Sequence, residues 1–388
     1  MDGDGRDSLV GRIVGGIDAI DAADWDALAG TDNPFASHAF LAALEASGSA
    51  SAEAGWTPHH LLIENAAGRP VAAAPMYLKA HSYGEYVFDH GWAAAFERAG
   101  GRYYPKLQVA VPFSPVAGPR LLVGDGPTRA GLREALIETL TEIARRTGVS
   151  SLHVAFCTED EWRALGAAGF LRRTGRQFHW TNQGYASFDD FLGALASRKR
   201  KTLRRERRLA MNDGIAIETL VGDDIKPRHW DAFFAAYTAT SDRKWGFPYL
   251  TRAFFDHLCS GLGDRVVLML ASHDGRAVAG ALNLRGATTL YGRNWGCLEH
   301  HPFLHFELCY YRAIDFAIAH GLARVEAGAQ GEHKIARGYL PEITYSAHWI
   351  AHEGLRDAVA RFLDAERRDI ETEVKILADF APFRAGDA

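Results

Sequence analysis

The chain says one thing twice, and that repetition restricts its possible folds more than any other feature. Gly68-Arg69-Pro70-Val71-Ala72-Ala73-Ala74 returns as Gly275-Arg276-Ala277-Val278-Ala279-Gly280-Ala281, each after an apolar run, Leu61-Leu62-Ile63 and Val266-Val267-Leu268-Met269-Leu270. The offset is 207 residues. Farther on, Gly169-Phe170-Leu171 with His179-Trp180 returns as Gly338-Tyr339-Leu340 with His348-Trp349, both at an offset of 169. Two matches in the same order, with a longer insert near Asp89 to Pro119 in the first copy, point to a duplicated domain rather than a short-period solenoid. Chemistry is therefore to be sought where the copies differ.

With 388 residues, 47% hydrophobic and 23% charged, the chain has room for two domains with real cores. Cys157, Cys259, Cys297 and Cys309 lie far apart without a Cys-x-x-Cys pair, which argues against a disulfide framework or a thiolate zinc site and suits a reducing compartment. They read as core or near-core residues. The polar start Met1-Asp2-Gly3-Asp4-Gly5-Arg6 leads into no apolar signal region, and no stretch reaches the ~18 apolar residues of a membrane span. No integral membrane segment and a cytoplasmic location are expected. A net charge of −5 gives no global pull toward nucleic acid, so any such affinity must be local.

Folded structure is expected from about Asn33, where Ser37 can cap a helix through Phe40, Leu41 and Leu44. His60 to Glu64 reads as a strand, Asn65 to Arg69 as a turn and Val71 to Leu78 as the returning strand. Leu132, Leu136, Ile137, Leu140 and Ile143 recur at helical spacing up to Gly148, and Ser151 to Phe156 forms the next strand. The second half keeps this order: Val266 to Ala271, Ala277 to Leu284, Thr289 to Trp295, a helix from about His305 to His320, then Ala323 to Ala327. The register places a boundary near Ser187, giving an extension over 1–32, a first domain over 33–186 and a second over 187–388. The last includes an amphipathic helix, Leu355 to Leu377, expected to pack on the second domain.

This order, ending in a Gly-aromatic-Leu segment and a final strand, resembles the GNAT acetyltransferase fold in tandem. Ser197-Arg198-Lys199-Arg200-Lys201-Thr202-Leu203-Arg204-Arg205-Glu206-Arg207-Arg208, running into Asn212 to Glu218, resembles the helix that opens the second domain of Fem-type peptidyltransferases. Glu326-Ala327-Gly328-Ala329-Gln330-Gly331-Glu332-His333-Lys334 with Arg337-Gly338-Tyr339 is similar to the signature of their FemAB-like relatives, linked to peptidoglycan biosynthesis. The resemblance spans residues 33 to 370. It implies an α/β protein with tandem GNAT-like domains, mixed central sheets flanked by helices. It also implies transfer of an acyl or aminoacyl group to an amine acceptor, a small molecule or peptide such as a cell-wall precursor, held between the two domains. The first domain is expected to help bind the acceptor.

The stretch Glu326 to Arg337 has no counterpart in the first copy, where His153 to Glu161 lacks Gly, Gln and Lys. Its glycines allow close approach of a ligand before a carboxylate, an imidazole and an ammonium follow in succession. Acyl transfer to an amine needs a base for the ammonium proton and donors for the oxyanion. Glu326 or Glu332 is the candidate base, His333 a base or acid, and Lys334 or Arg337 a charge partner. Gln330 joins them as a substrate contact. The bland alternative is a capped, salt-bridged loop. Tyr291 is a candidate acid, with Arg293 and Asn294 as oxyanion or acceptor contacts, although Tyr291, Arg293 and Trp295 alternate as one strand face would. Lys244 and Trp245 lie in a loop expected to fold over the acceptor.

Arg198 to Arg208 holds eight Lys or Arg and one Glu in eleven residues. It reads either as a solvated face or as a phosphate contact through residues such as Arg204 and Arg208, for tRNA, CoA or a nucleotide-linked precursor. No aromatics interleave, which favours backbone contact over base reading. Glu299-His300-His301 with His305 hints at metal ligands, but Pro302 interrupts any helix and no second cluster completes a site, so no metal is expected. No tightly bound cofactor is expected either. Acyl-CoA enzymes of the GNAT type hold pyrophosphate on a Gly-rich loop at a helix N-terminus. Here that place reads Gly296-Cys297-Leu298-Glu299-His300-His301-Pro302-Phe303, so the donor stays open between aminoacyl-tRNA and acyl-CoA. A catalytically silent module binding a cell-wall fragment or peptide is the rival reading. An acid placed out of water beside a lysine, at Glu326 to Lys334, would distinguish the transferase.

Overall fold

Proline and glycine set the punctuation of the chain, visible in a computed structural model that describes residues 9–212, 214–244, 246–328 and 331–384. Two units divide it. The first takes the chain up to Gly175 together with Thr344–Asp369, and the second takes Arg176–Ile343 with the chain from Ile370 onward.

The first unit contains β1 (Val10–Val14), β2 (Trp56–Pro58), β3 (His60–Glu64), β4 (Pro70–Ala74), β5 (Met76–Lys79), β6 (Lys106–Val109), β7 (Leu122–Val123) and β8 (Ser151–Cys157). β1, β3, β4 and β7 form one antiparallel sheet in that order. β2, β5, β6 and β8 follow one another in another, with β6 and β8 parallel. The single strand expected from Val71 to Leu78 is thus two strands in two sheets. Pro75 has no N–H to give the ladder, so pairing breaks there and each side finds its own neighbours. The helix Arg129–Thr147 buries Leu136, Ile137, Leu140 and Ala144 over Leu61, Ile63, Val109 and Val154, and Gly148 ends it in the left-handed conformation.

Order also begins before Asn33. β1 pairs with β3 from Val10 opposite Glu64 to Val14 opposite His60, and the helix Ala22–Ala29 follows, capped by Asp21. Only Val14 of β1 is buried, so this edge strand lacks the alternating pattern that would reveal it.

The second unit carries β10 (Ile215–Val221), β11 (Val266–His273), β12 (Arg276–Arg285), β13 (Thr289–Cys297) and β14 (Arg324–Glu326). Successive strands from β10 to β13 pair antiparallel, while β13 and β14 are parallel. Val267, Met269, Ala279, Leu290, Ile314 and Val325 share its core. The helix expected from His305 is a composite: Leu304–Phe306, a π turn Glu307–Tyr311, and Arg312–Ala319.

Two further strands run from one unit into the other. The end of β9 (Leu171–Thr181) pairs in the second unit with β14, His179 opposite Glu326 and Trp180 opposite Val325. The end of β15 (Leu340–Ile350) pairs in the first unit with β8, Trp349 opposite Leu152. The closing strand of each sequence repeat therefore belongs to the sheet of the other. A boundary near Ser187 between contiguous domains does not describe this division, because backbone pairing decides which edge accepts a strand and side-chain patterns do not. The final helix, Glu353–Ala378, is divided too. Leu355, Val359 and Leu363 pack with Trp92 and Tyr103 in the first unit, and Leu377 joins the core of the second. Among the described residues no helix is long and apolar enough to cross a membrane.

The repeated glycines keep their conformation: Gly68 and Gly275 have φ of 71° and 75°, Gly169 and Gly338 of 89° and 86°. A side chain at either of the latter pair is strained, but their surroundings differ. A Cβ on Gly338 would come within 2.9 Å of the Phe191 ring, whereas nothing lies within 4 Å at Gly169. Gly169→Ala should therefore cost about 1–2 kcal/mol for the left-handed backbone alone. Gly338→Ala should cost about 1–3 kcal/mol more through overpacking. Denaturant unfolding of both variants checks the order, and equal losses would contradict it.

Candidate active site

β13 carries one residue too many. Leu282 lies opposite Asn294 while Asn283 lies opposite Gly292, so Arg293 is left over as a bulge. A bulge opens the ladder and re-aims nearby side chains, and here it lies beside Asn283, which is fully buried. Asn283 Nδ2 donates to Ala281 O at 3.3 Å, but its Oδ1 has no partner among the described residues. Gly292 keeps this place open: a Cβ there would stand 3.3 Å from Glu326 O and 3.4 Å from Asn283 Oδ1.

Tyr291 lies opposite Glu326 across the parallel β13–β14 pair. Glu326 is 8% exposed, and its Oε2 has no hydrogen-bond partner among the described residues. Burial pushes its carboxyl up to about 7, against the opposing pull of Arg324 and Arg293 and with Glu342 adding to the rise. Among the described residues His179 Nε2 lies 3.9 Å from Glu326 Oε2, but the ring is no cation. Burial, helped by Arg324 and Lys334, pushes His179 down to about 3, so the ring is neutral. Its Nε2 donates to Gln177 Oε1 at 3.2 Å, and Nδ1 is left as an unpartnered acceptor. A carboxyl that changes charge near neutrality thus sits among polar atoms with unused hydrogen-bonding capacity.

After Gly331 a 3₁₀ turn, Glu332–Arg337, divides its polar residues between surface and core. Lys334 is buried and donates from Nζ to Gly328 O at 2.8 Å. Burial brings its ammonium down to about 8, with Cys309 opposing. His333 is exposed, hydrogen-bonds through Nε2 to Tyr310 OH at 2.9 Å, and has its pKa lowered by burial and by Arg337 and Lys334. Glu332 faces solvent 3.6 Å from Arg176. Arg337 is buried and committed to internal partners: Nε to Tyr311 OH at 3.1 Å, Nη1 to His333 O at 2.6 Å and Nη2 to Glu206 Oε2 at 2.8 Å. Its guanidinium also lies 3.5 Å above the Phe306 ring. It holds the turn rather than offering donors to a ligand.

The basic helix Ser197–Ala210 is two-faced. Leu203, Glu206 and Ala210 are buried, Glu206 accepting from Arg337 and Tyr311. Arg207 pairs with Glu307 at 2.9 Å and Asp315 at 2.6 Å. Arg198, Lys201, Arg204, Arg205 and Arg208 are exposed, with Arg204 3.1 Å from the exposed Asp189. Asn294 and Arg293 lie half-buried on β13 at the bulge. Gln330, Trp245 and the side chain of Lys244 lie outside the described residues.

Sequence reasoning missed Asn283, Gln177 and His179 as site residues. One signal for Asn283 was present, a lone amide inside the apolar run Ala281-Leu282-Asn283-Leu284. It also missed a charged core in the first unit. Lys106 Nζ donates to Ser82 Oγ and Glu85 Oε2, each at 2.8 Å, and to Asp89. Lys79 lies 3.6 Å over the Trp56 ring and 3.9 Å from Glu85. Burial brings Lys79 down to about 7 and Glu85 up to about 7; Asp89 is also disfavoured by burial, but Lys106 outweighs this and holds it well below the usual carboxylate range. All three partners of Lys106 lie between β5 and β6, so the lysine pins that insert to its sheet. Lysines at inward positions of apolar strands, Lys79 and Lys106, were the sequence signal.

The profile of the FemAB-like family, described as peptidoglycan biosynthesis/recognition, matches residues 16–385. The chain belongs to that family. No curated protein matches it in sequence. Its fold is the tandem GNAT-like α/β fold found in similar solved structures. The crystal structure of FemX has a TM-score of 0.55 at 13% identity, covering 88% of this chain and 98% of FemX. L-PGS from Bacillus licheniformis has a TM-score of 0.51 at 10% identity, covering 87% and 98%.

Because the folded pKa of Glu326 lies above its ordinary 4.5, the stability contributed by its protonated form is full below about 4.5 and is lost as pH rises through about 7. Glu326→Gln cannot ionise. It should flatten the melting profile across that window and melt higher than the wild type at pH 8, by on the order of 5 °C. A variant melting below the wild type at pH 8 would contradict the account.

Proposed function

We propose that the chain transfers an acyl or aminoacyl group from an activated donor to an amine on a peptide acceptor of the cell-wall type, with Glu326 as general base. The observation that carries this reading is the buried carboxyl of Glu326, whose Oε2 has no hydrogen-bond partner among the described residues and which is raised to about 7 beside the β13 bulge. An acceptor amine arrives as an ammonium. Ionised Glu326 takes one proton from the ammonium and passes it to solvent, and the free amine attacks the donor carbonyl. Glu326 then takes the second proton from the attacking nitrogen, and the oxyanion collapses as the leaving group departs with a proton from Lys334. Neutral Asn283 and His179 hold the acceptor amine in this account, since Asn283 Oδ1 and His179 Nδ1 are both unused acceptors. Lys334, lowered to about 8, supplies charge to the oxyanion and a proton to the leaving group. Arg337 is a positioning residue that fixes the turn through His333 O. Family membership supports a peptidoglycan-related acceptor, and the likeness to FemX supports the fold that such transfer uses.

Transfer of a labelled aminoacyl or acetyl group to a muropeptide with a free side-chain amine tests this reading. kcat/KM should rise with pH through about 7 and fall above about 8. Glu326→Gln should lower it by about 10²- to 10⁴-fold. Lys334→Met keeps the buried stem and should lower it by about 100-fold, while Glu332→Gln should leave it unchanged. Full turnover by Glu326→Gln would remove the assignment. Muropeptide binding without transfer from any donor would favour the silent binding module.

The exposed face of the basic helix is the proposed contact for a polyanionic donor or precursor, such as tRNA. Arg204→Ala with Arg208→Ala should reduce the salt dependence of tRNA binding by about one to two units of slope. Binding indifferent to salt and to both substitutions would return the helix to a solvated face.

A further inference from the structure

Outside the transfer site, the second unit brings together three side chains that the sequence keeps apart. His273 ends β11, while Glu299 and His301 lie in the connection from β13 to Leu304–Phe306. His301 Nε2 stands 3.2 Å and His273 Nδ1 3.6 Å from the same atom, Glu299 Oε2. One possible ligand atom from each residue lies within 4.8 Å of the other two. Bonds of the usual zinc length place tetrahedral ligand atoms about 3.4 Å apart, so two of the three separations already match.

Hydrogen bonding explains this cluster only in part. The 3.6 Å contact is too long for one, and His273 Nδ1 is shut off from solvent without a hydrogen-bond partner. Asp274 Oδ2 lies 3.9 Å from the far ring nitrogen of His273, and Arg276 lies 3.9 Å from the other Glu299 oxygen, both beyond hydrogen-bond length. In the sequence Glu299, His300, His301 and His305 lack a completing cluster and Pro302 interrupts any helix; in the structure His273, delivered by the β11–β12 hairpin, joins Glu299 and His301.

We propose that His273, Glu299 and His301 bind one divalent transition-metal ion of the zinc class. Two imidazoles and one carboxylate suit such an ion better than magnesium or calcium. Three protein ligands leave a fourth position, and Glu299 at 41% side-chain exposure turns it toward solvent. One carboxylate does not neutralise the ion, so the open position suits water or an anionic oxygen. The ion would tie the β11–β12 turn to the connection leaving β13. The site is independent of the transfer reading and is tested without an activity assay.

Tag-free, chelator-treated protein is titrated with ZnCl₂ against a chromophoric competitor, with a melting curve at each end point. One equivalent should bind and raise the melting temperature, while MgCl₂ should do neither. His273→Ala and His301→Ala should each weaken binding by at least about 100-fold. His300→Ala, next door but outside the cluster, should bind as the wild type does. In the unsubstituted protein, Co(II) should give the strong visible absorption of a tetrahedral site. Absence of stoichiometric uptake, binding that survives loss of both histidines, or a weak octahedral Co(II) spectrum would overturn the proposal.

Discussion

Removing the Glu326 carboxylate from water is the constraint around which the second unit is arranged. Desolvation raises its pKa to about 7, and the nearby groups oppose that rise without cancelling it. Arg324 and Arg293 pull the value down from a distance, yet among the described residues no cation is hydrogen-bonded to Oε2. His179, the closest candidate, is itself desolvated into neutrality. A close arginine would have produced an ordinary buried ion pair with a low pKa and no basicity to spare. The bulge at Arg293 and the absence of a side chain at Gly292 keep the neighbourhood of the carboxyl open. Such an arrangement lowers stability at neutral pH, a common property of working sites.

Arg337 supplies the rigidity that this arrangement requires. Through Glu206 it reaches the basic helix, through Tyr311 the π turn, and through His333 O the backbone next to Lys334. Glu307 and Arg207 reinforce the same region, with Glu307 fully buried between Arg207 and Arg312. π turns are commonly found at functional sites. Here the turn contributes Tyr310 to His333 and Tyr311 to Glu206. The density of arginines in the helix thus has two causes: an inner residue consumed by structure and an outer face left to solvent or ligand.

Much of the fold was legible in the sequence. Repeated glycines marked equivalent turns because a left-handed backbone leaves few alternatives, and apolar runs between them became strands. Glu326 and Lys334 stand out in the sequence because duplication offers an internal comparison with a copy that lacks them. What stayed hidden depends on long-range pairing. Nothing local tells β9 and β15 to complete the sheet of the other unit, and nothing local brings His273 to Glu299 and His301. His179 was visible as part of a repeat but comes to lie opposite Glu326 only through strand exchange. Glu332, also a carboxylate, differs from Glu326 in its exposure and in lying 3.6 Å from Arg176, neither of which a loop sequence reveals.

The most direct measurement is titration of the Glu326 carboxyl itself. Carbon-13 NMR of protein labelled at the glutamate side-chain carboxyl, with the Glu326→Gln spectrum used to identify the resonance, follows this one group through the pH range. A midpoint near 7 is the predicted result. A midpoint at its ordinary 4.5 would mean that the carboxyl is solvated or closely paired, and would contradict the account of Glu326 as a desolvated base.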